Sequence, residues 1–125
     1  MIPCEELKNM MVLYVEDEEI ARLSIGNFLR RQVGDLLLAA NGDEGLRLYE
    51  EHRPAVVITD LEMPVMNGMT MIRKIRELNH QIPIIITTGY DDESHQCPDA
   101  DLTILKPISF MELLQAVLDC VAARK

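Results

Sequence analysis

The chain has 125 residues, 48% of them apolar, and a formal net charge of −9. That length holds one hydrophobic core and not two, the apolar share excludes a disordered acidic tail, and the acidic balance disfavours duplex nucleic acid, whose recognition takes a basic patch. No stretch of about 18 apolar residues occurs, so no helical membrane span is expected.

In chain order, a leading segment over residues 1–10 carries Glu5, Glu6 and Lys8 instead of a charged start followed by an apolar run, and no secretion signal is expected there. The apolar run Met11 to Val15 follows, and behind it Ala21, Ile25, Phe28 and Leu29 fall on one helical face. The second run is Leu36 to Ala40; Asn41-Gly42 then reads as a turn into a shorter helix containing Leu46 and Tyr49. The third run, Val56 to Thr59, precedes a helical face of Met71, Ile72, Ile75 and Leu78. The fourth, Ile84 to Thr88, leads into Gly89 to Asp101, where Asp91, Asp92, Pro98 and Asp99 leave almost no apolar face, so a short or irregular helix or a loop is expected. The fifth run, Leu102 to Leu105, precedes the clearest stripe in the chain, made by Phe110, Leu113, Leu114, Val117, Leu118 and Val121. Ser109 is placed to cap that helix, with Glu112 three residues on completing a capping box.

Several of the five runs are solidly Val, Ile or Leu without polar alternation, as in strands buried on both faces. Strand alternating with helix gives right-handed crossovers and a doubly wound α/β sheet. The basic clusters Arg30-Arg31 and Arg73-Lys74-Arg76 are expected on solvent-facing helix. The cysteines, Cys4, Cys97 and Cys120, are odd in number and form no CxxC pair, which argues against a disulfide scaffold or a structural zinc site and for reduced thiols in the cytoplasm. His52, His80 and His95 are scattered, so neither a histidine metal site nor a phosphohistidine carrier is expected. The eight methionines are expected in the core and in loop packing, with Met63 and Met66 in the loop after Asp60.

In open parallel sheets ligands bind beyond the carboxyl ends of the strands. The first run ends in Glu16-Asp17, the third in Asp60, the fourth in Thr88-Gly89 and the fifth in Lys106-Pro107. For strand order 2-1-3-4-5, the flavodoxin-like order, Asp17 and Asp60 flank the switch point. Carboxylates held together repel one another, and a hard divalent cation such as Mg²⁺, which takes oxygen ligands, relieves that repulsion. A carboxylate is also a nucleophile toward phosphorus. Phosphoryl transfer needs alignment and charge neutralisation, for which Lys106 is the one lysine at this rim. Thr88 offers a hydroxyl donor and Gly89 leaves room for entry.

These residues resemble the receiver domain of response regulators. The resemblance rests on Val15-Glu16-Asp17, on Thr59-Asp60-Leu61-Glu62-Met63-Pro64-Val65-Met66-Asn67-Gly68, on Ile86-Thr87-Thr88-Gly89 and on Leu105-Lys106-Pro107, and it covers about Met11 to Arg124. The Asp60 to Gly68 segment is the specific one; an acidic pair after a strand is common. The resemblance implies a flavodoxin-like five-stranded sheet. It also implies that Asp60 is the phospho-acceptor, Asp17 a direct Mg²⁺ ligand, Glu16 a ligand acting through water, and the Glu62 backbone carbonyl a third protein ligand. Thr88 then matches the hydroxyl that moves toward the phosphoryl group, Lys106 the lysine that pairs with it, and Pro107 a residue commonly joined by a cis peptide bond. The implied partners are a histidine kinase or histidine phosphotransfer protein and an output domain or protein.

The chain departs from the family's usual pattern in places. The aromatic often found three residues before the lysine is Thr103 here, and the segment between Thr88 and Lys106 is about one helical turn short. Glu62 and Tyr90 occupy the positions, two past the acceptor and two past the threonine, that tune phosphoryl lifetime in the family. Two rivals follow. One is a receiver-like binding module that works without phosphorylation. The other is a haloacid-dehalogenase-like phosphatase, whose nucleophile, however, follows the first strand and not the third.

Overall fold

The computed structural model describes residues 6–63, 65–89 and 97–123. Five strands, β1 (Met11–Val15), β2 (Asp35–Ala39), β3 (Val56–Asp60), β4 (Ile84–Thr88) and β5 (Leu102–Leu105), form one sheet in the order β2-β1-β3-β4-β5. All four pairings are parallel, with Leu13 beside Leu37 and Val57, and Ile86 beside Thr59 and Thr103. The helices described are α1 (Glu19–Arg30), α2 (Gly42–His52), α3 (Gly68–Leu78) and α4 (Phe110–Ala123). This is the expected flavodoxin-like doubly wound fold. The segment expected to be short or irregular falls mostly on residues 90–96, which lie outside the described residues.

Side chains alternate across each strand, so the continuous apolar runs supply two cores at once. Val12, Tyr14, Val56, Ile58, Ile85 and Ile104 face α1 and α4, meeting Ile25, Phe28 and Leu29 from the first helix and Leu113, Val117 and Val121 from the second. Leu13, Val15, Val57, Ile84 and Ile86 face the other way, against Tyr49 of α2 and Met71, Ile72 and Ile75 of α3. Central strands β3 and β4 are buried along their whole length, whereas edge strand β5 exposes Leu102, Thr103 and Leu105.

Local chemistry sets the boundaries. Asn41 Oδ1 accepts from the Glu44 N–H at 2.8 Å, and a Glu44 carboxylate oxygen accepts from the Ala40 N–H at 2.6 Å. That reciprocal box takes Ala40 out of the ladder, so β2 ends at Ala39, one residue before the sequence suggested, and begins at Asp35, which pairs with Met11. Strand β3 runs one residue further than expected because Asp60 pairs with Thr87. Asn67 caps α3 by accepting from the Thr70 N–H at 2.9 Å, and Ser109 Oγ accepts from the Glu112 N–H at 3.3 Å at the start of α4. Of the basic residues expected on solvated helix faces, Arg30, Arg31, Arg73 and Lys74 are exposed, but Arg76 is not: its guanidinium is turned in against Asp101 at 3.0 Å. Of the described cysteines, Cys97 is half-buried and Cys120 is buried in the core.

Candidate functional site

The carboxyl ends of β1 and β3 bring Glu16, Asp17 and Asp60 together, with one carboxylate oxygen of each lying within 4.8 Å of the others. Glu16 is fully buried and Asp60 is 3% exposed, while Asp17 is open to solvent. Lys106, delivered by the end of β5, places its Nζ 3.0 Å from Asp60 Oδ2 and 3.5 Å from Glu16 Oε1. Burial and the neighbouring Asp60 charge push the Glu16 carboxyl from an ordinary 4.5 up to about 7. Burial works against the Lys106 ammonium, but the hydrogen bond and charge of Asp60, with Glu16 behind it, outweigh that and raise its pKa. The Lys106-Pro107 peptide bond is cis, as the resemblance implies.

The two oxygens of Asp60 differ. Oδ2 accepts from Lys106, whereas Oδ1 is buried and has no hydrogen-bond partner among the described residues. A buried carboxyl oxygen left in that state is costly, and such groups collect where a ligand completes the site. The set of donors is all hard oxygen, which suits Mg²⁺ and does not suit a nitrogen- or sulfur-seeking metal.

The loop between β3 and α3 is held close to Asp60. Gly68 lies so near that a Cβ there would stand 2.3 Å from the Asp60 carbonyl oxygen, and its N–H donates to the Leu61 carbonyl at 2.9 Å. Only glycine fits that approach, which accounts for the last residue of the Asp60 to Gly68 motif. Gly42 plays the same part from α2, its N–H donating to the Met66 carbonyl at 3.2 Å. Val65, 84% exposed at the tip of this loop, has φ 69°, a left-handed conformation that a β-branched residue adopts only under strain.

Thr88, at the end of β4, does not point its hydroxyl at Asp60's unpartnered oxygen. Its Oγ1 donates to the Glu62 carboxylate, 3.0 Å from Oε2 and 3.2 Å from Oε1. Gly89 beside it faces open space, and a groove of about 400 Å³ opens from Glu16 and Lys106 between α1 and the start of α4. Thr103 is exposed on the edge strand; Tyr90 lies outside the described residues.

Two contributors to the site were not found in the sequence. Arg22 of α1 donates through Nη1 to the backbone carbonyls of Glu16 at 2.9 Å and Asp17 at 3.3 Å, fastening the turn that carries the acid pair. Tyr14, fully buried, donates its phenol O–H to Glu16 Oε1 at 3.4 Å, and Glu16 Oε2 accepts from the Glu18 N–H at 3.2 Å. The period-two pattern of β1 was the available signal for Tyr14, since it puts residues 14 and 16 on one face. For Arg22 there was only its position about one and a half turns past the acid pair.

The family model described as response regulator receiver domain matches residues 12–118. The sensory transduction protein LytT of Oceanobacillus iheyensis is 37% identical over 105 residues, 78% of this chain and 42% of its own length. A protein-glutamate methylesterase/protein-glutamine glutaminase of Bacillus subtilis is 36% identical over 88 residues, 69% of this chain and 24% of its own length. The chain thus spans less than half the length of these curated relatives. Among solved structures, a response regulator receiver domain protein from Clostridium thermocellum superposes with a TM-score of 0.85 at 27% identity, covering 92% of this chain and 96% of that one. A CheY-like receiver domain protein from Methanospirillum hungatei gives 0.87 at 23% identity over 93% and 96%, a likeness of fold.

Proposed function

Because the chain belongs to the response regulator receiver family, we propose that residues 1–125 act as one phospho-accepting receiver domain of a two-component phosphorelay. Asp60 takes a phosphoryl group from a phosphohistidine on a histidine kinase or histidine phosphotransfer protein. The observation that carries this reading is the asymmetry of Asp60: one oxygen is paired with Lys106 at 3.0 Å and the other is buried without a partner.

An Asp60 carboxylate oxygen attacks phosphorus, the bond from phosphorus to the donor's imidazole nitrogen breaks, and the imidazole leaves with that electron pair. Lys106 stays against Asp60 and neutralises charge on the phosphoryl oxygens, which is most of what such a transfer asks of a protein. Thr88 supplies a hydroxyl donor to one of those oxygens, and Gly89 leaves the entrance open. Asp17, Asp60 and the Glu62 backbone carbonyl would hold Mg²⁺ directly and Glu16 through water, while Arg22 and Tyr14 keep the acid pair in place. When bound, that ion relieves the crowding of carboxylate charge and aligns the incoming phosphoryl oxygens. Phosphorylation then biases a two-state equilibrium at the Thr88 and Lys106 loops, and the bias is read by an output domain or protein. We place this in the cytoplasm, with no direct contact to nucleic acid or membrane. The domain turns over only its own phosphate, slowly.

The test is intact-mass and Phos-tag analysis after incubation with acetyl phosphate or phosphoramidate, with and without Mg²⁺, on the parent and on Asp60→Asn. One Mg²⁺-dependent phosphate, labile to hydroxylamine and absent from the variant, is expected. Labelling that persists in Asp60→Asn refutes the assignment, and no labelling at all would favour a binding module that works unphosphorylated.

A further inference from the structure

Thr88 carries a single hydroxyl proton and so makes one donated hydrogen bond at a time. In this structure that proton is directed at Glu62, whose two carboxylate oxygens straddle it at 3.0 and 3.2 Å. A hydrogen bond to an ionised acceptor is about twice as strong as one between neutral groups. Glu62 is half-buried, and its backbone sits in a loop pinned independently of this contact, by Gly68 to Leu61 and by Gly42 to Met66. The side chain can therefore let go of Thr88 without the loop moving.

Resting on the phospho-acceptor reading above, we propose that Glu62 is an internal competitor for Thr88, a carboxylate that holds the hydroxyl until a phosphoryl group on Asp60 takes it. Glu16, Asp17 and Asp60 are clustered, Lys106 meets two of them, Asp60 and Glu16, and a fourth acid, Glu62, sits against Thr88. An acyl phosphate brings further negative charge into that set. Its oxygens need donors; Glu62 offers none, repels the new charge, and occupies a donor that is close by. The switch at Thr88 is therefore an exchange of acceptors and not the capture of an idle hydroxyl. Its threshold is set by a residue outside the acceptor's own hydrogen bonds.

A double-mutant cycle separates this exchange from a bulk charge effect. The probe is beryllofluoride, a phosphoryl analogue, titrated with Mg²⁺ into the parent, Glu62→Ala, Thr88→Val and the pair, with binding read by calorimetry and the Thr88 amide followed by NMR. Glu62→Ala should bind the probe more tightly. Thr88→Val should weaken binding by only about twofold in the parent, where the Glu62 carboxylate competes for the hydroxyl, and by on the order of tenfold in the Glu62→Ala background, where that competitor is gone. Glu62→Gln, which keeps the shape and an acceptor oxygen but not the charge, should fall between; melting curves establish that each variant folds. An equal factor for Thr88→Val in both backgrounds overturns the proposal, because Glu62 would then act through charge alone. Failure of the parent to bind the probe, together with failure to take up phosphate, overturns the phospho-acceptor reading and this proposal with it.

Discussion

Asp60 Oδ1 and Thr87 Oγ1 are both buried without a hydrogen-bond partner among the described residues, and the two residues are register partners on adjacent strands. The cost of leaving such an atom unsatisfied is about 1–3 kcal/mol. For Asp60 the proposed function gives that cost a use, since the bare oxygen is what the site would offer to a phosphoryl group or a cation. Thr87 has none in the chemistry above: its hydroxyl sits on the opposite side of β4 from Thr88, with its neighbour Ile85 in the core formed with α1 and α4. Thr87→Val keeps the shape and removes the orphan, so urea unfolding should show stability unchanged or raised by about 1 kcal/mol. A clear loss would mean that the hydroxyl is satisfied by an ordered water. The sequence displayed Thr87-Thr88 as two like residues at a strand end, and only the family pattern distinguished them. That Asp60, Glu16, Asp17 and Lys106 gather at one rim was legible because each stands at a strand's end, where position alone fixes the neighbourhood. Tyr14, Arg22 and the Glu62 side chain were not, because their roles depend on rotamers that bridge two elements.

At the scale of elements, the same distinction governs Arg76. As part of Arg73-Lys74-Arg76 it reads as one more solvated basic residue on a helix. In the fold it joins three segments: Nε donates to the Asp99 carbonyl at 2.9 Å, Nη1 to the Ile82 carbonyl at 2.7 Å, and Nη2 to Asp101 Oδ2 at 3.0 Å. The same Asp101 oxygen accepts from the Ile84 N–H at 2.8 Å. The end of α3, the entry to β4 and the entry to β5 are thus tied through one guanidinium. Side-chain exposures of 14% and 26% set this pair apart from a surface ion pair worth under about 1 kcal/mol. Removing the arginine takes a donor from the Asp99 and Ile82 carbonyls and the opposite charge from Asp101, which keeps the Ile84 N–H, and Arg76→Ala should cost about 2 kcal/mol, read as a lowered urea midpoint at unchanged slope. Arg76→Lys should recover little, because an ammonium cannot serve three directions from one plane. A loss within about 0.5 kcal/mol for Arg76→Ala would return the residue to the solvated face. Periodicity showed where the helix lies; it carries no information about a partner 25 residues away.

For the whole molecule, the formal charge of −9 poses a question of location. Acids spread over a surface repel weakly and respond to any salt, whereas Glu16, Asp17 and Asp60 gathered within 4.8 Å respond to a cation that fits them. The fold and the chemistry meet here: the strand order that builds the core also sets β1 beside β3 and so creates the cluster. A cation bound only by the folded chain stabilises it by RT ln(1 + [L]/Kd), about 1.4 kcal/mol at ten times Kd. For a domain of this size that corresponds to a melting temperature higher by about 5 °C. Mg²⁺ should therefore raise the melting temperature beyond what NaCl achieves at equal ionic strength. Asp17→Asn should abolish the excess without unfolding the protein, because Asp17 is exposed and its carbonyl, not its carboxylate, holds Arg22. If NaCl matches Mg²⁺, screening of the diffuse charge explains the whole response and the cluster is not a cation site. If the excess survives in Asp17→Asn, the ion is held elsewhere and the ligand set inferred for the acceptor pocket is wrong.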